Sequence, residues 1–341
     1  MRKKSIKLVS LILMLAFACM AMTACGNKQD QQQTPAAGGD NKDAAAVADT
    51  LIFAQGAEPR GLDPALVDDG ESSKVIVNIY EGLLKFEEGS TKVAPCLAKD
   101  WKISDDGLTY TFYLQEGVKF HDGTDFNAEA VKFNIERQTI NKTEDMGYAD
   151  FVWGDVASVE AQDDYTVVIT LKEPSTPFLN NLAMSLGAPM VSPKALQDND
   201  NNVNKAPVGT GPYVFKSWNP DQDIILEKNA DYWGTPAKTD TILFKFIKEN
   251  ASRVVALTNG EADMIDGIDT NVIDELKNGG MEVLDEEGMN ISYMAYNVER
   301  APFNDPAIRK AVSQAINVPE MVDGLYHGYA SLATTILPSF M

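Results

Sequence analysis

Residues able to carry out covalent chemistry are few in this sequence. Its 341 residues include two histidines, His121 and His327, and three cysteines. A hydrolase needs a nucleophile beside a base, yet no Gly-x-Ser-x-Gly, His-Glu-x-x-His or Cys-His arrangement occurs. Cys96 has no histidine near it in sequence, which favours a small packed residue over a nucleophile. We therefore predict that the chain is not an enzyme and needs no cofactor and no metal.

One cysteine does have a predicted chemistry, the attachment of lipid to Cys25. Arg2 and the lysines after it precede an apolar run over residues 8–20, and Met22-Thr-Ala-Cys25 follows. This order is typical of an export signal, and its last four residues resemble the bacterial lipobox, whose cysteine is joined to diacylglycerol. The alternative is an uncleaved signal anchor, but the run is shorter than the roughly 20 residues of a spanning helix. We predict a signal peptide over residues 1–24 and a lipid on Cys25.

Composition separates a flexible tether from a folded part. Residues 25–49 are rich in Asn, Gln, Asp, Ala and Gly and contain no aromatic residue, so they bury too little apolar surface to fold. The whole chain is 44% hydrophobic, enough for one large core or two ordinary ones. Asp and Glu number 50 against 29 Lys and Arg, a net charge of -21 that repels phosphate backbones. The folded part is therefore predicted to be globular and not to bind nucleic acid.

A predicted β-hairpin over residues 97–123 is the clearest structural element. Asp106-Gly107 supplies the positive φ of a tight turn, and Tyr110, Phe112 and Leu114 alternate with polar residues as in a half-buried strand. A helix is predicted to begin at Asn127, whose side chain caps free N–H groups. Further strands and helices alternate along the chain, which is typical of lobes with a mixed sheet. The strands are predicted at 50–55, within 156–171 and at 242–246, and the helices at 251–257 and 270–277.

Local patterns give three more expectations. Gly209 and Gly211 are predicted to let the chain turn sharply as it crosses between lobes. Asp305 is predicted to cap a helix that begins with Pro306, and Asn317 and Glu320 to form a capping box for the next helix. The first of these helices should bury one apolar stripe. The stripe consists of Ala311, Val312, Ala315 and Ile316.

Several blocks of the sequence together resemble one family, the bacterial extracellular solute-binding proteins of family 5, which serve ABC importers of dipeptides, oligopeptides and nickel. The hairpin and its Val118-Lys-Phe-His-Asp-Gly123 ending resemble the family signature, although Gln115 replaces a commonly basic residue. The opening Glu58-Pro59 and Leu62-Asp63-Pro64 also resemble the family. The other blocks are residues 127–137, 208–215 and 296–317.

The resemblance implies an α/β, periplasmic-binding-protein-like (type II) two-lobed fold with an extra small α+β domain. Lobe I is expected at residues 50–80 and 206–289, and the extra domain II at 81–205. Residues 290–341 are expected to begin lobe III, which family members continue well past residue 341. The last lobe is therefore expected to be incomplete, the apolar stripe at residues 311, 312, 315 and 316 to lack a partner sheet, and tight peptide binding to be lost.

The function that the resemblance implies is a monomeric, lipid-anchored receptor outside the membrane, in the periplasmic space or on the outer face of the plasma membrane. It captures a peptide or another small solute and delivers it to the ABC permease subunits. Alternatives are a nickel complex or other small solute as ligand, a secreted hydrolase, and a structural lipoprotein without a ligand. The resemblance places edges of the ligand cleft at Asp69, Gly70, Glu71 and Ser72 and near Asn297. Helix capping explains the first four residues equally well.

Overall fold

The computed structural model describes residues 49–286, 288 and 290–335. The predicted signal peptide, Cys25, nearly all of the tether and residues 336–341 lie outside the described residues. The described strands are β1 (Thr50–Gln55), β2 (Leu84–Phe86), β3 (Val93–Pro95), β4 (Ala98–Ile103), β5 (Thr109–Leu114), β6 (Val156–Asp163), β7 (Thr166–Leu171), β8 (Tyr213–Asn219), β9 (Asp223–Lys228), β10 (Thr241–Phe246) and β11 (Met264–Ile265).

The described helices are mostly short. They are α1 (Gly70–Ile79), α2 (Ala128–Gln138), α3 (Ala149–Trp153), α4 (Phe178–Asn181), α5 (Pro193–Asp198), α6 (Asn250–Thr258), α7 (Ile273–Asn278), α8 (Pro306–Ala315) and α9 (Val318–Tyr326). The helix predicted over 270–277 divides into a 3₁₀ turn, Thr270–Val272, and α7. Within these described residues, none of the helices has the length and apolar character needed to cross a membrane.

A mixed sheet of five strands combines β1 with strands from residues 213–265. Its order is β11-β1-β10-β9-β8. β1 pairs in parallel with β10, from Thr50 opposite Thr241 to Gln55 opposite Phe246, and it also pairs in parallel with β11. β9 is antiparallel to both β10 and β8, so β1, β8, β10 and β11 run in one direction. Those four strands therefore end at the same edge of the sheet.

An antiparallel sheet of four strands, in the order β4-β5-β7-β6, lies between β1 and β8 in sequence. It contains the predicted hairpin, which is confirmed: Trp101 of β4 pairs with Phe112 of β5, and Gly107 has φ +70° in the turn. The predicted second pair of strands is confirmed as β6 and β7. Asn127 caps α2 as predicted, because its side-chain oxygen accepts the Ala130 N–H at 3.0 Å. β2 and β3 form a separate two-stranded ribbon.

Each of the two larger sheets has its own hydrophobic core. Residues of α2 and α3 join the core of the four-stranded sheet, where the large side chains of Phe112, Phe126 and Trp153 are fully buried. In the five-stranded sheet, Ile76 and Ile79 of α1 pack in one cluster with residues of β8, β9 and β10. Complete burial of one such side chain contributes roughly 1.5–3 kcal/mol relative to exposure. The two cores therefore pack α1 against the five-stranded sheet, and α2 and α3 against the four-stranded sheet.

Gly209 and Gly211 lie between the two sheets in sequence, and the predicted reason for glycine there is wrong. Neither residue has a positive φ, so a sharp turn does not require them. Instead, both pack against the end of α1. A Cβ on Gly209 would overlap the carbonyl oxygen of Ile79, and a Cβ on Gly211 would lie 2.7 Å from the same oxygen. The N–H of Gly211 donates to that oxygen at 2.9 Å, so close backbone packing is what excludes a side chain.

A buried ion pair joins the loop after β1 to α2. Arg137 donates from its two terminal nitrogens to the carboxylate of Asp63 at 3.0 and 2.7 Å, and the side chains are 2% and 0% exposed. Asp63 also accepts the N–H groups of Ala65 and Val203, while Arg137 donates to the Asn201 carbonyl oxygen. A buried charge is tolerated only with such a set of partners. The pair therefore fixes three separate chain segments against one another.

The described residues after 290 include α8 and α9 and contain no buried residue in either helix. The caps at Asp305 and Pro306 are confirmed, since Asp305 accepts the N–H of Ala307 at 2.8 Å. The predicted stripe of α8 is not buried, because the described residues place no sheet against it. The capping box is only half formed: Asn317 accepts the Glu320 N–H at 3.4 Å, but the Glu320 carboxylate accepts the Asn317 side-chain amide instead of its backbone N–H.

Candidate ligand-binding edge

The edge where the four parallel strands end is the candidate functional site. β1, β8, β10 and β11 finish there at Gln55, Asn219, Phe246 and Ile265. In open α/β sheets, ligands bind outside the carboxyl ends of the strands, where the following loops present polar groups. We call these strand ends and the loops that follow them the carboxyl edge.

Arg253 of α6 organises two of these loops. Its side chain is 5% exposed and donates to the carbonyl oxygens of Ile247 and Lys248, after β10, and of Asp266 and Gly267, after β11. These four hydrogen bonds measure 2.8 to 3.2 Å. Because one guanidinium group satisfies four carbonyl oxygens, both loops have a fixed conformation before any ligand arrives.

Gly56, in the loop after β1, lies against the same guanidinium group. A Cβ at this position would lie 3.3 Å from the Arg253 Nη1. The preceding Gln55 is fully buried and donates from its side-chain amide to the Ala57 carbonyl oxygen at 2.7 Å. The loop after β1 is therefore packed onto the loops after β10 and β11, so all three belong to one surface.

The predicted site residues Asp69 to Ser72 form the N-terminus of α1 at this edge. Asp69 is the N-cap: one carboxylate oxygen accepts the Ser72 N–H at 2.8 Å, and the other accepts the Ser72 hydroxyl at 2.7 Å. The Ser72 hydroxyl oxygen in turn accepts the backbone N–H of Arg60 at 3.0 Å. Capping thus accounts for Asp69 and Ser72, as one of the two interpretations expected. It does not account for Gly70, whose φ is not positive and around which a Cβ would meet open space.

Glu71 belongs to a charged cluster that spans the edge. Lys74 contacts the Glu71 carboxylate at 2.9 Å and also pairs with Asp266, in the loop after β11. Burial opposes the charge of Lys74, but the hydrogen bonds and charges of Asp266 and Glu71 outweigh it and raise the pKa of the ammonium group. The start of α1 is therefore attached to the loop after β11 by charge as well as by packing.

Trp218, Glu58 and Lys205 meet at the same edge, an association that no local sequence pattern predicts. The indole N–H of Trp218, next to the end of β8, donates to the Glu58 carboxylate at 2.6 Å. The ammonium nitrogen of Lys205 lies over the indole ring, 3.1 Å from its centroid. The sequence shows a tryptophan near a strand end and the Glu58-Pro59 block, but these two features lie 160 residues apart, so nothing in the sequence links them.

Asn297, the remaining predicted site residue, is exposed and lies in a local turn. Its side chain accepts the Glu299 N–H at 3.1 Å, and its carbonyl oxygen accepts the Arg300 N–H at 3.3 Å. Within the described chain, no hydrogen bond or ion pair joins Asn297 to Asp69 or its neighbours. The structure therefore brings Asp69 to Ser72 to the carboxyl edge but does not bring Asn297 to them.

The groups with reactive potential have structural roles. Cys96 is buried, and burial raises the pKa of its thiol to about 12. The His121 ring lies 2.9 Å from the Gly211 carbonyl oxygen through Nε2 and accepts the Gly209 N–H at Nδ1, the pattern of a neutral ring, and burial lowers its pKa. Between residues 49 and 335, wherever the structure is described, no group of three His, Cys, Asp or Glu side chains is arranged to hold a metal ion.

Glu81 is a half-buried acid whose hydrogen bonds join chain segments that precede and follow the four-stranded sheet in sequence. Its carboxylate accepts hydrogen bonds from the Thr210 hydroxyl at 2.8 Å, the Tyr232 hydroxyl at 2.7 Å and the Trp233 indole N–H at 2.8 Å. Burial raises the pKa of the Glu81 carboxyl, and the three hydrogen bonds only partly oppose this effect. Thr210, Tyr232 and Trp233 follow the four-stranded sheet in sequence, and all three donate to Glu81, which precedes it.

Solved structures with the same architecture are binding proteins. The ABC transporter-associated periplasmic binding protein DppA from Helicobacter pylori, in complex with the peptide STSA, matches with a TM-score of 0.78 and 36% identity over 85% of this chain and 61% of that one. A dipeptide-binding protein from Pseudoalteromonas sp. SM9913, in complex with Met-Leu, has a TM-score of 0.79 at 28% identity, covering 85% of this chain and 61% of that one. NikZ from Campylobacter jejuni, with Ni(L-His), has a TM-score of 0.73 and 30% identity, covering 84% and 57%. The fold is therefore that of an α/β periplasmic binding protein.

Sequence comparison assigns the family. Residues 92–341 match the bacterial extracellular solute-binding proteins, family 5 Middle, and the chain belongs to this family. It is 38% identical to the glutathione-binding protein GsiB of Escherichia coli O1:K1 over 291 residues, which are 84% of this chain and 56% of that protein. The chain thus spans little more than half the length of this curated relative. Its relatives are binding proteins of transporters, as the sequence analysis expected from the resemblance.

Proposed function

We propose that this chain is the substrate-binding lipoprotein of an ABC importer that captures short peptides outside the membrane and delivers them to the permease. The observation that carries the proposal is the carboxyl edge, where four parallel strands end beside loops that Arg253 holds in place. Such a preorganised polar edge suits an extended peptide, whose backbone offers hydrogen bonds that do not depend on its sequence.

Asp69, Gly70, Glu71 and Ser72 are the proposed ligand contacts on this edge, with Asn297 proposed from the family resemblance. Gly70 supports this role, because it lies in open space and lets a ligand approach the backbone of the first helical turn. The N–H groups of that turn attract anions or carbonyl oxygens, since a helix N-terminus carries a partial positive charge. We propose that a peptide carbonyl group faces this turn, since the Asp69 and Glu71 carboxylates there would repel a second anion.

The binding proposal is tested by nuclear magnetic resonance of the full chain, a method that also detects weak ligands. The probes are Met-Leu, the tetrapeptide Ser-Thr-Ser-Ala, glutathione and Ni(L-His). We expect at least one probe to shift the amide signals of residues 69–72, and an Asp69→Ala variant to bind it more weakly. Asn127→Ala is the matched control, because it removes another N-cap from a helix outside the carboxyl edge. Binding that leaves residues 69–72 unperturbed would refute the assignment.

The same samples separate a receptor from a hydrolase. A receptor returns each peptide intact after prolonged incubation, whereas turnover of any peptide would overthrow the proposal. Nickel-complex binding without peptide binding would move the chain to the alternative ligand class. Absence of binding to every probe would favour a structural lipoprotein.

Membrane attachment through Cys25 is a separate part of the proposal. The Met22-Thr-Ala-Cys25 motif follows a cationic and apolar leader and supports cleavage before Cys25 with lipid on its thiol. We expect the wild-type chain to be in the membrane fraction and Cys25→Ser to be released or left uncleaved, with altered electrophoretic mobility. Cys19→Ser is the control, since Cys19 lies within the apolar run. Unchanged fractionation and mobility of Cys25→Ser would contradict the lipoprotein assignment.

A further inference from the structure

The Trp218 indole at the carboxyl edge is fixed from two sides. Its N–H group is tied to the Glu58 carboxylate at 2.6 Å, and its ring face is covered by the Lys205 ammonium group at 3.1 Å from the centroid. The first contact sets the ring orientation, and the second sets where the positive charge lies. The Glu58–Trp218 contact joins residues 160 positions apart, so the orientation of the indole belongs to the folded edge, whereas Lys205 precedes Trp218 by only 13 positions.

The Lys205 ammonium group has no acidic partner within the described part of the chain. Many other lysines pair with a carboxylate, for example Lys74 with Glu71 and Lys99 with Glu116. Lys205 makes no ion pair within 4.0 Å and donates no hydrogen bond to any described residue, although the protein carries a net charge of -21. Contact with an aromatic face neither neutralises the charge nor uses the three N–H donors of an ammonium group. Lys205 thus retains its capacity to bind an anion.

Glu58 does not remove that capacity. One of its carboxylate oxygens accepts the indole N–H. The carboxylate and the Lys205 ammonium group form no ion pair, since they lie more than 4.0 Å apart. Glu58 meets the indole at the edge that carries its N–H, whereas Lys205 lies over the ring face. Glu58 therefore orients the platform on which Lys205 rests without neutralising the lysine.

We propose that Lys205, supported on Trp218, recognises a carboxylate of the bound solute, such as the terminal carboxylate of a short peptide. This inference rests on the proposed function and names the chemical class of its ligand. A charge-assisted hydrogen bond between an ammonium and a carboxylate is about twice as strong as a neutral one. A ligand whose carboxylate is blocked loses that bond, so Lys205 makes the edge selective for free acids over amides and esters.

The test compares free and blocked ligands on the full chain. The indole resonance of Trp218, assigned with Trp218→Phe, reports titrations with Met-Leu and Ser-Thr-Ser-Ala and with their C-terminal amides. Glutathione and its diethyl ester form a third pair. For the wild type we expect the acid to bind about 10-fold more tightly than its blocked form, the size of one hydrogen bond to a charged group.

Three variants decide the outcome. Lys205→Met should lose the preference for the acid while binding the blocked form within about 2-fold of wild type, and Lys205→Arg should keep the preference. Lys102→Met is the matched control, since Lys102 lies over the Tyr113 ring of the four-stranded sheet and has no acidic partner among the described residues. It should behave as wild type.

Each result separates this inference from the proposed function. If the wild type binds peptides without preferring the acid, or if Lys205→Met keeps the preference, the role of Lys205 is refuted while the receptor function stands. If neither member of any pair binds the wild type, both proposals fail.

Discussion

Replacing Arg137 with methionine should be among the most destabilising single changes in this chain. The substitution keeps an unbranched apolar side chain but leaves the carboxylate of Asp63 fully buried, with only the N–H groups of Ala65 and Val203 as partners. It also removes the donor to the Asn201 carbonyl oxygen. Breaking a buried pair by removing one partner costs about 3–5 kcal/mol. Since a domain is stable by only about 5–15 kcal/mol, this is a large fraction of the total.

Thermal unfolding of the full chain, followed by circular dichroism, measures this loss. One kcal/mol corresponds to roughly 2–4 °C in a domain of 150–250 residues, so we expect Tm to fall by roughly 6–20 °C. Lys99→Met is the control, because the Lys99–Glu116 pair has side chains that are 44% and 65% exposed and should contribute under about 1 kcal/mol. The double variant Asp63→Leu, Arg137→Met should recover part of the loss, since it leaves no buried charge. A difference of about 2–3 °C in Tm corresponds to about 1 kcal/mol. If the Tm of Arg137→Met lies within that range of the control, the buried pair does not have the stabilising role assigned to it.

Four further variants test other positions, three by the free energy of unfolding and one by the pH dependence of that free energy. Gly211→Ala should destabilise by about 1–3 kcal/mol because its Cβ would lie 2.7 Å from the Ile79 carbonyl oxygen, whereas Gly70→Ala, in open space, should be neutral or stabilising by up to about 1 kcal/mol. Tyr80→Phe should stay within about 1 kcal/mol of wild type or be more stable, since the buried Tyr80 hydroxyl makes no hydrogen bond of good geometry to any residue that the structure describes. Burial raises the pKa of Glu81, so the folded state holds this proton more tightly than the unfolded state does. The contribution of Glu81 to the free energy of unfolding is therefore complete below the pKa of the unfolded state, and it is lost as pH rises through the raised pKa of the folded state. Glu81→Gln should remove this component of the pH dependence, which lies above the ordinary pKa of a glutamate carboxyl.

Each of these variants has an outcome that would contradict its reasoning. Equal stabilities of the two glycine variants would mean that the Ile79 backbone moves aside at little cost. A loss above about 2 kcal/mol for Tyr80→Phe would imply that its hydroxyl makes a hydrogen bond in solution. Identical pH profiles for Glu81→Gln and wild type would mean that the carboxyl titrates normally.

Local patterns in the sequence predicted the elements but not the contacts between them. The Gly107 turn, the Asn127 cap and the Asp305 cap each depend on residues within a few positions, and all three are confirmed. The Asp63–Arg137 pair joins residues 74 positions apart, and the Glu58–Trp218 contact spans 160. No periodicity or cap signal records such a pairing, because only the folded chain brings these side chains together.

Separation in sequence also determines which parts of the candidate site can be predicted. The sequence predicts Asp69 and Ser72 either as cleft residues or as a helix cap. Both interpretations depend only on the four consecutive residues from Asp69 to Ser72, which can be read directly from the sequence. Arg253 was missed, because its four carbonyl partners lie in loops and carbonyl groups leave no trace in the choice of residue. The glycine at position 211 was noticed but explained by turn geometry, since the backbone of Ile79 against which it packs is far away in sequence.

The position of β1 in the five-stranded sheet has a consequence for the order of folding. Thr50 must wait for Thr241, roughly 190 residues later, whereas the hairpin of β4 and β5 closes within about 16 residues. Loop closure over the longer span costs about 2 kcal/mol more by the logarithmic rule, and the intervening four-stranded sheet can remove much of that cost by forming first. Until then β1, with its apolar Leu51, Ile52 and Phe53, has no strand to pair with. A chain emerging in order from a ribosome or a translocation channel therefore carries β1 unpaired until β10 has been made, the stage at which binding by a chaperone would protect the strand from aggregation.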